Sequence, residues 1–373
     1  MRLIPLWALR PGMKVARRVY DSQGFLLLNV GVTLEKEYIQ SLKRLGIRAI
    51  YIDDPLIPDV DIEDVILEET RQKALLLIRE SVHSIKDEQP HKVGHLINYS
   101  KGLSAVLDDI VSQLLVNRNL TVNLSDIRST DDYTFAHSVN VAVLSIITAI
   151  SMDIAKRDLI NLGLGAFLHD LGKTLLPLSI LNKAGSLNPQ EMAEIRKHPG
   201  DGYDLVKKQL FINGQTASIV QQHHERINGS GYPQGLTGNQ IELFPKICAV
   251  ADVYDALASD RPYRPAFPPH KALQILEVEN EGFDLPVLQH FYQHIAVYPI
   301  GSIVGLNDGR TGVVVHNQAG YPTRPRVRVL WDGKTFTPLE PMEVDLVEIL
   351  SLVVERVYQD HELPEQVLQN PRN

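Results

Sequence analysis

Apolar positions near the start of the chain change period twice. Met13 to Val19 and Phe25 to Leu28 read as strands, joined by the turn Asp21-Ser22-Gln23-Gly24. Leu34, Tyr38, Ile39, Leu42 and Leu45 then share one face at helical spacing, Gly46 caps that helix, and Ala49 to Ile52 reads as a closing strand. These elements predict a small α/β domain over residues 1–58. Ile62, Val65, Ile66, Leu75, Leu76 and Ile78 form the apolar side of a long helix from Asp61 to about Ile85. After a polar break at Asp87 to His95, a second helix is expected from Lys101 to Val116. Residues 59–124 therefore read as a helical connector. It either supports a homodimer or packs on the next domain.

Between 125 and 295 nearly every segment has a helical pattern: Tyr133 to Ile150, Lys156 to Leu168, Pro189 to Lys197, Gly202 to Lys208, Ala217 to His223, Phe244 to Leu257 and Pro269 to Glu279. Pro189, Pro245 and Pro269 suit helix starts, and Asn228 to Leu243 is a Gly-rich loop. From 296 to 373 the period changes again. Ser302 to Leu306, Gly312 to His316 and Arg326 to Trp331 read as short strands, followed by a polar tail. The expected fold class is multidomain and mainly α. An all-helical core is flanked by a small N-terminal α/β domain and a small C-terminal β domain. Arg324, Arg326 and Arg328 recur at period two, so they form either a solvated strand face or an anion-binding one.

Composition narrows the function. The 373 residues carry a net charge of −8, which argues against broad binding to nucleic acid polymers. The one cysteine, Cys248, lies in an apolar run; it excludes an intrachain disulfide and fits a reducing cytoplasm. The apolar run Val143 to Ile150 falls far short of the ~20 residues of a membrane span.

The helical middle concentrates possible metal ligands: His137, the adjacent pair His169-Asp170, His198, the adjacent pair His223-His224, and Asp252. Seven such groups exceed what one ion needs and suit two ions sharing a carboxylate. Imidazole and carboxylate without thiolate suit Fe or Mn and do not exclude Zn. Two ions ~3.5–4 Å apart can clamp the attacking and leaving oxygens of a phosphoryl displacement. Each histidine taken alone would more often be a hydrogen-bonded core residue.

His169-Asp170-Leu171-Gly172-Lys173 resembles the signature of HD domains. The run from His223-His224-Glu225 through Asn228-Gly229-Ser230-Gly231-Tyr232-Pro233 resembles that of the HD-GYP family. Pro177 to Leu187, His198-Pro199 and Ala251 to Arg264 extend the resemblance, which runs from about Asp131 to Leu276. It implies a metal-dependent phosphodiesterase that hydrolyses the bacterial second messenger cyclic di-GMP to pGpG, leaving open whether the reaction stops there or continues to GMP. A water or hydroxide between two divalent ions would be the nucleophile. By the same resemblance His137, His169, Asp170 and Asp252 hold one ion, and Asp170, His198, His223 and His224 the other.

Lys173, Arg261 and Arg264 match the family's phosphate-contacting positions, with Lys173 either stabilising developing charge or supplying a proton. The loop with Gly231 and Tyr232 either brings backbone close to a ligand, so that both residues bind substrate, or is a connector whose Tyr packs on the surface; in the family it is also associated with contacts to GGDEF-type cyclases. Two departures stand out. Tyr133 occupies the place of a third-metal Glu, so two metals are expected, and Asn228 replaces the usual Asp. Glu225 is expected either to orient a histidine ligand or to be structural. Adjacent His223 and His224 are ~100° apart on a helix and so must lie near a helix end. Two alternatives remain: a phosphohydrolase for another nucleotide, and a non-catalytic cyclic di-GMP sensor.

Overall fold

In the computed structural model all residues are described except 22–24, 48, 55–56, 61, 63, 87–92, 118–120, 123–132, 182, 184, 210–211, 260–265, 359–361, 365–366 and 368–373. The expected turn at Ser22 to Gly24 lies outside the described residues. The chain divides into two compact units, one of residues 64–118 and 133–292, the other of residues 1–63, 119–132 and 293–373.

The helical unit is built around a helix that is buried on every side. α2 (Glu68–Lys86) and α3 (Val93–Val116) precede it. α3 buries Leu103, Val106, Leu107, Ile110, Val111 and Leu114, the one-face spacing that packs a helix on a neighbour. α4 (Tyr133–Ser151) has no solvent face from Ala136 to Ile150. α2, α3, α5 (Lys156–Leu168), α10 (Leu243–Ala258) and α12 (Leu285–Tyr292) enclose it. The shell is completed by α6 (Leu178–Leu181), α7 (Pro189–Ile195), α8 (His198–Gln209), α9 (Gly214–Gln222) and α11 (Pro269–Val278). At the start of α7 Asn188 and Glu191 form a reciprocal capping box behind Pro189. No described helix is long and apolar enough to cross a membrane.

The other unit has two parts. In the first, β1 (Arg2–Pro5) pairs antiparallel with β4 (Ala49–Ile52), while β2 (Val19–Tyr20) and β3 (Leu26–Leu28) form a hairpin and α1 (Lys36–Arg44) covers the core with Leu42. The expected strand from Met13 is reduced to single bridges at Lys14 and Val15. Backbone turns at Gly12 (φ 94°) and Gly31 (φ 81°) confine its pairing. The apolar start of the chain, with no strand assigned from pattern, is β1.

In the second part a five-stranded antiparallel sheet has the order β8-β7-β6-β5-β9. Its strands are β5 (Ile303–Leu306), β6 (Arg310–His316), β7 (Arg326–Asp332), β8 (Pro338–Asp345) and β9 (Val354–Val357). One face packs Ile303, Val313, Val315 and Trp331 with Ile57 from the N-terminal segment; the other packs Val304, Val314, Val327, Val329 and Val344. Because both faces are covered, Thr311 to Val315 are buried without alternation.

The arginine stripe is neutralised within this unit. Arg326 pairs with Asp345 at 3.1 Å, and Arg328 reaches Asp59 through two bonds of 2.6 and 2.7 Å and Glu343 at 2.7 Å. Arg324 lies before the strand and donates to the carbonyls of Leu346, Leu350 and Leu352. Hydrogen bonding from Arg328 lowers the Asp59 pKa to about 2. The pair is therefore fully stabilising above the unfolded carboxylate's pKa of about 4 and is lost as pH falls toward 2. The exposed carboxylate limits its contribution to about 1 kcal/mol. Both tryptophans, Trp7 and Trp331, belong to this unit, so their fluorescence reports its unfolding. Asp59→Asn is expected to lower the fluorescence melting midpoint by a few degrees at pH 7, with the gap to the parent closing below about pH 4. A gap independent of pH would remove the ion pair as its cause.

Candidate metal centre

The buried polar cluster lies where several helices end. α5 stops at Leu168, leaving His169 as its C-cap and Asp170 at φ −95°, ψ 6°, just before the short 3-10 turn Leu171–Leu175. His198 opens α8, and His223 is the C-cap of α9 with His224 following it, as the adjacency requires. His137 and Asp252 project from within α4 and α10. Close packing of the 3-10 turn on α8 needs Gly172, because a Cβ there would lie 1.9 Å from the His198 carbonyl oxygen.

The fold gathers all seven expected ligand residues into two groups: His137, His169 and Asp252, and Asp170, His198, His223 and His224. Within each group the offered ligand atoms lie within 4.8 Å of one another. Six of the seven residues are buried, and His224 is half-buried. Asp170 faces both groups. Its Oδ2 is 3.5 Å from His169 Nε2 and 3.9 Å from His137 Nε2. Its Oδ1 is 3.3 Å from His198 Nε2 and 3.9 Å from His223 Nε2. Asp252 Oδ1 is 3.1 Å from His137 Nε2, and its Oδ2 is 3.8 Å from His224 Nδ1.

Four imidazoles are held by their outward nitrogen. His169 Nδ1 donates to Ala166 O at 2.7 Å and His198 Nδ1 to Ile195 O at 2.7 Å. His223 Nδ1 donates to Val220 O at 3.0 Å, and His137 Nδ1 to Asp255 Oδ2 at 2.6 Å. A neutral ring whose Nδ1 donates leaves Nε2 as a lone pair directed into the cluster. His198 Nε2 and His223 Nε2 then face each other at 3.3 Å, and the buried His169 Nε2 makes no hydrogen bond among the described residues. A bound cation would satisfy such opposed nitrogens beside carboxylate oxygens, so the donor set fits divalent ions.

The electrostatics agree. Burial pushes the pKa values of His169, His223 and His224 down, keeping them neutral. His137 differs: burial opposes its charge, but the Asp252 and Asp255 carboxylates outweigh burial and raise its pKa to about 10, so its Nε2 carries a proton toward Asp252 that a bound cation would displace. Burial also disfavours ionised Asp170, yet Lys173 and the neighbouring histidines hold its pKa well below the ordinary value. Asp252 is likewise held down, mainly by hydrogen bonding from His137 against burial. Lys173 Nζ lies 2.6 Å from Asp170 Oδ2. It does so from the 3-10 turn, not from the helix that ends before His169.

The Gly-rich loop closes one side. Buried Glu225 accepts the amides of Gln234 at 2.7 Å and Leu236 at 2.9 Å. Its carboxylate therefore holds the loop, the structural one of the two expected roles, and does not orient a histidine. Asn228 Oδ1 accepts from Ser230 N at 3.1 Å, which preserves the turn without the usual charge. A Cβ on Gly231 would lie 2.3 Å from Arg226 N, so only glycine allows this approach. Tyr232 stacks on His224 with ring centroids 4.6 Å apart. Arg261 and Arg264 lie outside the described residues.

Sequence reasoning passed over Asp255. It lies one turn after Asp252 on α10, and that i, i+3 spacing was the available signal. Besides His137 it accepts Asn140 Nδ2 at 2.8 Å. Asp255→Asn is expected to weaken divalent-metal binding 10–100-fold, measured by chelator competition and metal content. Unchanged affinity would show that His137 needs no carboxylate behind it.

A model of the HD domain family matches residues 110–287, and one described as a KOW domain associated with HD domain matches residues 303–366. The chain is 34% identical over 279 residues to cyclic di-GMP phosphodiesterase PA4108 of Pseudomonas aeruginosa, covering 75% of this chain and 67% of that protein. It is 39% identical over 145 residues to 3'3'-cGAMP-specific phosphodiesterase 3 of Vibrio cholerae, covering 39% of this chain and 31% of that protein. Among solved structures, Bd1817, a HDG"Y"P protein from Bdellovibrio bacteriovorus, is similar with a TM-score of 0.47 at 23% identity, covering 78% of this chain and 97% of that one. The aligned parts thus span two thirds of the first relative's length and under a third of the second's. This chain belongs to the HD-GYP family of HD domain proteins.

Proposed function

We propose that the chain is a metal-dependent phosphodiesterase that hydrolyses cyclic di-GMP to pGpG or on to GMP. The observation that carries this reading is the buried Asp170 carboxylate, with one oxygen toward each histidine group. A single carboxylate between two N/O donor sets suits a pair of divalent ions, Fe or Mn first among them. The similarity to a relative named as a cyclic di-GMP phosphodiesterase supports the choice of substrate.

Hydrolysis adds water across one P–O bond. The water oxygen bonds to phosphorus, the bond to the 3′ oxygen breaks, and the departing oxygen gains a proton. Two divalent ions, when bound, supply Lewis acidity and lower the pKa of a water at the site. The chain's own residues do the rest. His137, His169, His198 and His223 present fixed Nε2 donors, so the site needs no rearrangement. Lys173 brings a positive charge beside Asp170, where negative charge develops on the phosphoryl oxygens. Buried walls exclude bulk water, and Gly231 and Tyr232 bring backbone and ring against the centre. Arg261 and Arg264 add the guanidinium forks that phosphate oxygens favour. The exposed loop residues Asn228, Ser230 and Pro233 offer the surface for a GGDEF-type cyclase.

The full chain, loaded separately with Mn and Fe(II), is expected to convert cyclic di-GMP to pGpG or GMP by chromatography, while His169→Ala combined with Asp170→Ala gives none. Binding without turnover under either metal would favour a sensor. Faster turnover of 3'3'-cGAMP in the same assay would move the reading to that substrate. Lys173→Ala is expected to lower kcat about 10²-fold with metal content retained, and Lys173→Arg to recover part of the loss. An unchanged kcat would confine Lys173 to a structural contact with Asp170.

A further inference from the structure

Beside the metal centre lies a stacked row. The His224 ring stacks on Tyr232 at 4.6 Å with 27° between planes, and Tyr232 N donates to His224 O at 3.1 Å. The Arg196 guanidinium lies over the Tyr232 ring, 5.3 Å from its centroid. Arg196 is the C-cap of α7 and stands two residues before His198, whose ring faces the cluster.

Arg196 differs from the other cations around it. Lys183 is paired with Glu191 at 2.6 Å and Lys197 with Glu194 at 2.6 Å, so the carboxylates of α7 are taken. Lys173 is drawn inward to Asp170. The Arg196 side chain is exposed and makes no ion pair among the described residues; its described contact is the Tyr232 ring. A guanidinium resting over an aromatic ring still has N–H donors to spare, in the fork pattern that phosphate oxygens accept.

A cyclic dinucleotide carries two phosphodiesters, and only one can react at a time. The second keeps its charge and must lie outside the buried cluster. Resting on the phosphodiesterase reading above, we propose that Arg196, seated on Tyr232, binds the phosphodiester that is not being cleaved. Arg196 is then a specificity-determining residue for substrates with two phosphates. Tyr232 is its platform, and the stack on His224 ties that platform to the site.

The test compares the Mn-loaded full chain with Arg196→Ala and Arg196→Lys on two substrates, cyclic di-GMP and bis(p-nitrophenyl) phosphate, which has a single phosphodiester. Metal content and melting midpoint serve as folding controls. Arg196→Ala is expected to lower kcat/KM for cyclic di-GMP at least about tenfold, mainly by raising KM, with Arg196→Lys intermediate. The loss on bis(p-nitrophenyl) phosphate is expected to be several-fold smaller. Equal losses on the two substrates, or an unchanged KM for cyclic di-GMP, would overturn the assignment while leaving the phosphodiesterase reading intact. If the parent binds cyclic di-GMP without cleaving it, the hydrolysis reading falls alone. The same variants are then compared by dissociation constant, where tenfold weaker binding upholds Arg196 and unchanged binding overturns it. A parent that neither binds nor cleaves the dinucleotide overturns both.

Discussion

A buried imidazole can donate one proton and offer one lone pair, and how four of these rings use that proton governs the centre. His169, His198 and His223 donate Nδ1–H to carbonyls of the turn before them, at helix ends where such carbonyls are accessible. His137, inside a helix whose carbonyls are already bonded, donates to Asp255. Each ring thereby aims its Nε2 at Asp170 or Asp252. The remaining geometry follows from placing these four donors around two carboxylates.

Such a cluster is costly unless its charges are compensated. Two ionised aspartates lie in the core of the helical unit, beside histidines that burial keeps mostly neutral. The compensation within the chain is uneven. Asp170 has Lys173 at 2.6 Å, while Asp252 has His137 at 3.1 Å. This leaves a strong demand for cations, which is a design for metal binding and a poor one for stability. The encircled α4 and the glycine contact between the 3-10 turn and α8 supply the rigidity that holds the cluster open against that demand.

The loop after His224 shows how a motif divides its work. Glu225 turns away from the histidines and ties two loop amides, Asn228 closes the turn, and Gly231 admits the backbone. Tyr232 is left to meet His224 on the inside and Arg196 outside it. Replacing the usual carboxylate with Asn228 is mild in this setting, because the turn uses an acceptor oxygen and no charge.

Much of this was determined by sequence alone. Helical periodicity located α5 to the residue and α4 and α10 to within one, since a 3.6-residue period is a local property. The spaced histidines and aspartates announced the metal chemistry, and the long motif announced the family. Other features depended on partners far along the chain. β1 exists because it pairs with β4 some fifty residues on. β8 has almost no buried position and two prolines, so no alternation marked it; its pairing with β7 makes it a strand. The arginine stripe looked like one face until Asp59 and Glu343 closed on it. Most of all, the sequence named the ligand residue types, but only the tertiary structure decided which nitrogen of each ring faces inward. That choice depends on the carbonyl or carboxylate behind the ring, and no spacing along the chain encodes it.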